Sequence, residues 1–279
     1  MGPRLALAEA GSLRLRILSG LVLAPLPLVA IWLGGAFLWI LTTLAAIVMA
    51  WEWGRLCGRG AWRGGIVLIV GVAVAVVAAA LAGIAAGAVF ALIAAGLVWA
   101  AERREGHEAP RWMAAGCLWV SLPCIILLWL ARGETPSDAV GRITLLWVFA
   151  VVWATDIGAY AIGRLLRGPR LAPHWSPGKT WTGLFGGIAC AGFAGWVTAR
   201  VLGAAPVAPL VLISAGLAIV EQFGDLAESV AKRRFGVKDA SSLIPGHGGL
   251  LDRLDGLLAV IPAVALLTWV SGGSVLTWR

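Results

Sequence analysis

Charge is scarce in this chain: Asp, Glu, Lys and Arg make up only 13% of its 279 residues, against about 25% in an average soluble domain. That shortage excludes disorder and a charge-laced coiled coil as descriptions of the whole chain. Cysteine is scarce too. Cys57, Cys117, Cys124 and Cys190 sit in or beside apolar segments and form no CxxC pair. Neither a disulfide framework nor a zinc site is indicated, and the four read as small buried hydrophobes. No internal repeat with matching motifs is found. What abounds is apolar side chain: 60% of residues, with a mean hydropathy of +0.91. An ordinary soluble domain does not have that composition.

The uncharged runs are long. Residues 17–51, 64–101, 112–131, 180–199, 201–220 and 256–278 carry no charge, and 143–163 carries only Asp156. A membrane helix needs about 20 apolar residues to cross about 30 Å. The first two runs are too long for one helix each, and turn residues at Gly34-Gly35 and Gly83 divide them. The expected fold is therefore an all-α integral membrane protein with about nine transmembrane helices and a cytoplasmic N-terminus. Residues 1–142 read as membrane helices for anchoring and packing. Residues 143–279 read as a catalytic membrane region with inner loops 164–179 and 225–255. With that topology, 18 of the 22 Lys and Arg fall in the inner segments 1–16, 52–65, 102–111, 164–179 and 225–255. Arg132, Arg142, Arg200 and Arg279 fall outside. This is a positive-inside pattern. It accounts for most of the net charge of +8, so binding to nucleic acid is not indicated. The apolar start reads as a plain first span rather than a cleaved signal peptide. Met1-Gly2 lacks the Ser or Thr at position 6 that myristoylation requires.

Chemistry-bearing residues concentrate in two places. In residues 221–255, six carboxylates lie beside five basic residues. Asp225 and Glu228 are three apart, as are Asp252 and Asp255, so on a helix each pair shares a face. Acids bordering apolar spans suit a hard cation such as Mg²⁺, which takes oxygen ligands and comes with phosphate. A solvated loop with helix-flanking ion pairs is the alternative. Lys232, Arg233 and Lys238 can neutralise polyphosphate, whereas Arg234 reads as an anchor. The turn Gly246-His247-Gly248-Gly249 offers backbone N–H groups to phosphate oxygens. His247 can donate to phosphate, move a proton, or simply be solvated.

The second place is Thr155-Asp156 through Tyr160, followed by Ser176-Pro177-Gly178-Lys179-Thr180. Asp156 falls inside a span, where a carboxylate marks a functional site by default. Tyr160, the single Tyr of the chain, lies one turn further on the same face. The Gly-Lys-Thr triplet is not a Walker A loop, because Pro173 stands where its first Gly belongs. A Ser/Lys/Thr turn opening a helix still grips phosphate through side chains and helix N–H groups.

The pattern Ser229-x-x-Lys232-Arg233, Lys238-Asp239-x-Ser241, then His247-Gly248-Gly249-x-Leu251-Asp252-Arg253-x-Asp255 closely resembles the signature of phosphatidate cytidylyltransferases (CDP-diacylglycerol synthases). The two upstream blocks resemble that family's as well. The likeness is strong over about residues 150–256, and the N-terminal half matches only in hydropathy. Two positions depart from it: Ala231 stands where a larger apolar residue is expected and Gly256 where Ser is more usual, and neither is expected to touch the chemistry. The resemblance implies a reaction of CTP with phosphatidic acid, giving CDP-diacylglycerol and pyrophosphate with Mg²⁺, and a second ion such as K⁺ is compatible with it. It implies Asp225 and Asp252 on the metal, and Asp225, Lys238, Asp239, His247, Asp252 and Asp255 as the catalytic set. It implies substrate contacts from Asp156, Tyr160, Ser176, Lys179, Thr180, Glu228, Ser229, Lys232, Arg233, Gly246, Gly248, Gly249 and Arg253. It further implies a homodimer in the bacterial inner membrane, surrounded by lipid, with its site facing the cytoplasm. Transfer to another lipid phosphate is the nearest alternative. An ion-coupled transporter is the alternative from another class, but it would set acids near the midplane and show inverted repeats.

Overall fold

A computed structural model describes residues 20–58, 62–106, 109–132, 139–203 and 206–277. The basic segment 1–16, the Met1-Gly2 start and Arg279 lie outside the described residues. The chain forms nine helices there: α1 Pro25–Leu33, α2 Gly35–Gly58, α3 Trp62–Ala82, α4 Ile84–Arg104, α5 Pro110–Arg132, α6 Ala139–Leu166, α7 Trp181–Leu202, α8 Ala208–Arg234 and α9 Leu251–Ser271. Between α6 and α7 lies a two-stranded antiparallel hairpin, β1 Arg170–Ala172 with β2 Ser176–Thr180. A short 3₁₀ turn at Val275–Thr277 follows α9.

Both expected breaks in the long apolar runs are present. Gly34 (φ 63°) separates α1 from α2, and Gly83 (φ 97°) separates α3 from α4. Both residues adopt backbone angles that side chains with a Cβ rarely take. Among the described residues, α2 to α9 are the eight helices long and apolar enough to cross a membrane. The apolar helix Gly20–Leu33, which contains α1, is shorter among the described residues. The expected count of nine thus becomes eight within the described residues.

Two expected boundaries also move. The span expected at 201–220 is α8, 27 residues starting at Ala208 behind the left-handed cap Gly203 of α7. At about 40 Å it outruns the roughly 30 Å of hydrocarbon. Asp225, Glu228, Ser229, Lys232 and Arg233 therefore stand on a helix rather than in an inner loop. The last span likewise begins at Leu251, which brings Asp252, Arg253 and Asp255 into the first turns of α9. Only residues 235–250 remain as the connecting loop.

The helices alternate in direction, so their ends collect at two poles. At one pole Glu52 of α2 meets the start of α9, and Trp53 Nε1 donates to the Trp112 carbonyl of α5 at 2.9 Å. At the other, Arg142 donates to the Trp32 carbonyl, Arg132 to that of Ala80, and Thr144 pairs with Ser274. Among the described residues, Arg132, Arg142 and Arg200 are the only basic side chains at this second pole. Large apolar side chains such as Leu44, Val70, Phe193, Leu212 and Leu266 point outward, as a lipid-facing surface requires. The interior is sealed by Met49, Ile125, Leu145, Trp147 and Ile261. Trp147 Nε1 finds a partner in Ser214 Oγ at 3.1 Å.

Small residues set the spacing where helices cross, because lipid offers no hydrophobic drive and close backbone contact must hold the pair. A Cβ on Gly158 of α6 would lie 2.6 Å from Cys190 Sγ and 2.7 Å from the Gly186 carbonyl oxygen of α7. A Cβ on Gly224 of α8 would lie 2.8 Å from the Asp255 carbonyl oxygen of α9. Gly158→Val is expected to force α6 and α7 apart, a strain of about 1–3 kcal/mol. Thermal unfolding in detergent should show a lowered midpoint, while Gly96→Val, which meets open space, should unfold like the wild type. Equal midpoints for both variants would refute the packing argument.

Candidate active site

The acids gather on one face of α8. Glu221, Asp225, Glu228 and Lys232 follow one another at helical spacing. The stripe descends about 16 Å along the axis at about 1.5 Å per residue. The glycine crossing at Gly224 presses this face onto the first turns of α9, and α6 supplies Asp156 from the other side. Asp156 and Glu221 share a side-chain hydrogen bond, as do Glu228 and Asp255. Asp225 lies beside Asp156 and Asp255, linking the two pairs. Gln222 Nε2 donates to Glu221 Oε2 at 2.8 Å.

Two lysines enter this cluster. Lys179, carried in by β2, reaches Asp225 Oδ2 at 2.5 Å. Lys232 stands between Glu228 at 3.1 Å and Asp252 at 2.7 Å. Asp252 also accepts from the amides of Ala240 (3.0 Å to Oδ2) and Gly249 (2.8 Å). It therefore anchors the loop as well as facing Lys232.

Among the described residues, no three His, Cys, Asp or Glu side chains converge closely enough to hold a metal ion. Asp225 and Asp252, the expected metal pair, each face a lysine instead. The chemistry of the donor set still suits a hard cation. Two carboxylates in contact require a shared proton or a positive charge between them, and Glu228 Oε1 is buried without an N–H or hydroxyl donor. In this structure ammonium groups supply the positive charge.

The glycine turn is closed on itself. Ile244 and Gly248 exchange backbone hydrogen bonds at 2.8 and 3.2 Å, and Gly246 (φ 78°) and Gly248 (φ 86°) take left-handed angles. Arg253 grips the His247 carbonyl with Nε at 2.9 Å and Nη2 at 2.5 Å. Lys238 and Asp239 are exposed in the loop before the turn. Arg233 Nε donates to the Trp175 carbonyl at 3.2 Å, tying the hairpin to the end of α8.

Several expected site residues have other engagements. Thr180 caps α7, its hydroxyl accepting from the Gly183 amide at 3.1 Å. It opens the helix as expected, but its oxygen serves the helix N-terminus. Tyr160 is exposed and accepts from Arg164 Nη1 at 3.2 Å rather than facing the acid cluster. Ser176 opens β2 opposite Ala172. Ser229 is buried on α8 between Glu228 and Lys232 in sequence.

Two residues belong to this region that the motifs left unassigned. Glu221 is readable from the spacing of the stripe. Glu52 is not: it lies far upstream, between two Trp at the end of an apolar run. It is fully buried and accepts from Ser241 Oγ at 2.6 Å, Leu250 N at 2.9 Å and Leu251 N at 2.7 Å.

The model of the cytidylyltransferase family matches residues 14–271. A phosphatidate cytidylyltransferase of Brucella suis biovar 1 is 37% identical over 266 residues, covering 92% of each chain. One from Pseudomonas aeruginosa is 37% identical over 269 residues, 93% of this chain and 98% of its own. One from Haemophilus influenzae is 42% identical over 127 residues, 44% of each chain. The longer matches take in the N-terminal half, where the motifs alone found only hydropathy. With the acid–lysine stripe, the glycine turn and this breadth of similarity together, the chain belongs to the cytidylyltransferase family.

Proposed function

We propose that the chain makes CDP-diacylglycerol and pyrophosphate from CTP and phosphatidate. The observation that carries this is the stripe Glu221, Asp225, Glu228 and Lys232. Its Lys232 end meets Asp252 beside the polar glycine turn, and its Glu221 end lies midway along the membrane-spanning helix α8. A charged nucleotide entering from the polar pole and a lipid phosphate arriving from the bilayer can meet along such a face.

In the reaction, a phosphate oxygen of phosphatidate bonds to the α-phosphorus of CTP. The bond from that phosphorus to the oxygen bridging to the β-phosphate breaks, and pyrophosphate leaves. A phosphate monoester is largely dianionic near neutral pH, with a second pKa of about 6, so the chain needs no strong base. Its work is to hold two anions in line and offset their repulsion. Lys179 and Lys232 carry ammonium groups into the acid cluster, where they can turn to phosphate oxygens. The amides of the Gly246–Gly249 turn, with Lys238 and Arg233 nearby, suit the triphosphate. Mg²⁺ supplies Lewis-acid neutralisation of phosphate oxygens when bound. Asp225 and Asp252 are the acids assigned to hold it, with Glu228 and Asp255 beside them. The proposal includes a second ion such as K⁺, for which Asp156 and Glu221 offer oxygens.

The proposed setting is the bacterial inner membrane, with the site at the cytoplasmic face and the protein a homodimer. The crowding of basic side chains at the pole of the site supports that orientation.

Purified protein in detergent, given phosphatidic acid, Mg²⁺ and cytosine-labelled CTP, is expected to move label into lipid. EDTA should abolish the transfer, and Asp252→Asn should cut it by at least about 100-fold. Label that persists in both samples would overturn the metal assignment, and no label with intact CTP and folded protein would overturn the activity. Lys232→Met leaves Glu228 and Asp252 facing each other without their shared cation. It is expected to lower kcat/KM about 100-fold, and unaltered steady-state kinetics would remove Lys232 from the site.

A further inference from the structure

We propose that Glu52 is a positioning residue for the nucleotide, holding the glycine turn in its phosphate-binding shape from a helix in the N-terminal half. A buried carboxylate at the end of a membrane span is costly unless donors surround it. Glu52 is fully buried and receives three: Ser241 Oγ, Leu250 N and Leu251 N. These donors lie on both sides of the turn. Ser241 precedes Gly246–Gly249, and Leu250 and Leu251 follow it. One carboxylate therefore clamps the base of the loop.

The fit around Glu52 leaves no slack. A Cβ on Gly249 would lie 2.7 Å from Glu52 Oε1, so the last residue of the turn rests directly on this side chain. The N-terminus of α9 has no side-chain cap of its own at Leu250. Its first amides would be left without acceptors but for Glu52, with Asp252 taking Gly249 N. Asp252 also faces Lys232 and so belongs to the charged cluster. Glu52 meets the loop and its flanks, so it acts on substrate only through the turn. Its own aim is set by its neighbour. The Trp53 indole donates to the Trp112 carbonyl and lies where a side chain at Gly116 would otherwise be. That contact fixes the rotation of α2 against α5.

This inference rests on the turn being the triphosphate contact of the proposed reaction. It is tested on the full chain in detergent by measuring kcat, the KM for CTP and the KM for phosphatidic acid separately. Glu52→Gln keeps the size but turns an NH₂ group toward the N–H and O–H donors. It is expected to raise the CTP KM about 10- to 100-fold, leaving kcat and the phosphatidic acid KM within about 2-fold. Ser241→Ala removes one donor and should raise the CTP KM by roughly 2- to 10-fold. The double variant should be little worse than Glu52→Gln alone, because the two side chains share one interaction. An unchanged CTP KM in both single variants overturns the proposal. So does a fall in apparent kcat that matches the loss of folded protein, with both KM values unchanged. Should Glu52→Gln fail to fold, Ser241→Ala decides by the same criterion. An inactive wild type would overturn the parent reading together with this one, whereas an active wild type with indifferent variants overturns this one alone.

Discussion

A carboxylate next to a bilayer must find a proton, a cation or a set of N–H donors, and the polar pole of this molecule is organised by that requirement. Glu52 is met entirely by N–H and O–H donors. Asp252 is met half by amides and half by Lys232. Asp225 is met by Lys179. Glu228 and Asp255, and Asp156 and Glu221, are met only in part by their own neighbours. The acids thus range from fully donor-bound, as at Glu52, to only partly met, as at Glu228. Glu52 holds the scaffold in place, and Asp252 shares that work through its amide contacts. The acids of the stripe, with Asp252, create a demand for positive charge that Lys179 and Lys232 meet in this structure.

The same acids need their helices close together, and that closeness is the work of glycine. Gly224 and Gly256 let α8 and α9 touch beside Asp225 and Asp255, and Gly158 and Gly186 do the same for α6 and α7 beside Asp156. A side chain at the first crossing would separate Asp225 from Asp255, and one at the second would shift Asp156 against the hairpin that carries Lys179. The hairpin that delivers Lys179 hangs from the second of these crossings, since β2 runs directly into the capped start of α7. Packing in the membrane and electrostatics at its edge are in this sense one problem.

Much of this was legible in the residues. Apolar run lengths, with Gly34 and Gly83 as breaks, locate most of the helices. The spacing of Asp225, Glu228, Lys232, Asp252 and Asp255 locates the site. What was not legible has specific causes. Counting apolar residues ends the eighth expected span at Val220, because Glu221 is charged. Yet the helix continues through Arg234, its acids facing α6 and α9 rather than lipid. The hairpin is only three and five residues long, too short for an alternating pattern to show. Thr180 carries a hydroxyl that suits phosphate or a helix cap equally well, and only the Gly183 contact separates the two. Glu52 has no local signal at all, since its partners lie about 190 to 200 positions away in sequence and reach it only through the folded chain.

That long reach has a consequence for how the protein is made. Glu52 and Leu251 are 199 residues apart, which is about 10–40 s of synthesis at about 5–20 residues per second. Throughout that interval the second helix sits at the membrane with a carboxylate whose acceptor role is unfilled. A nascent chain in this state has every reason to keep that end of α2 in contact with water or a chaperone. Only once α9 has emerged can Glu52 take the Leu251 amide, so α2 locks into the bundle after α9 has been made.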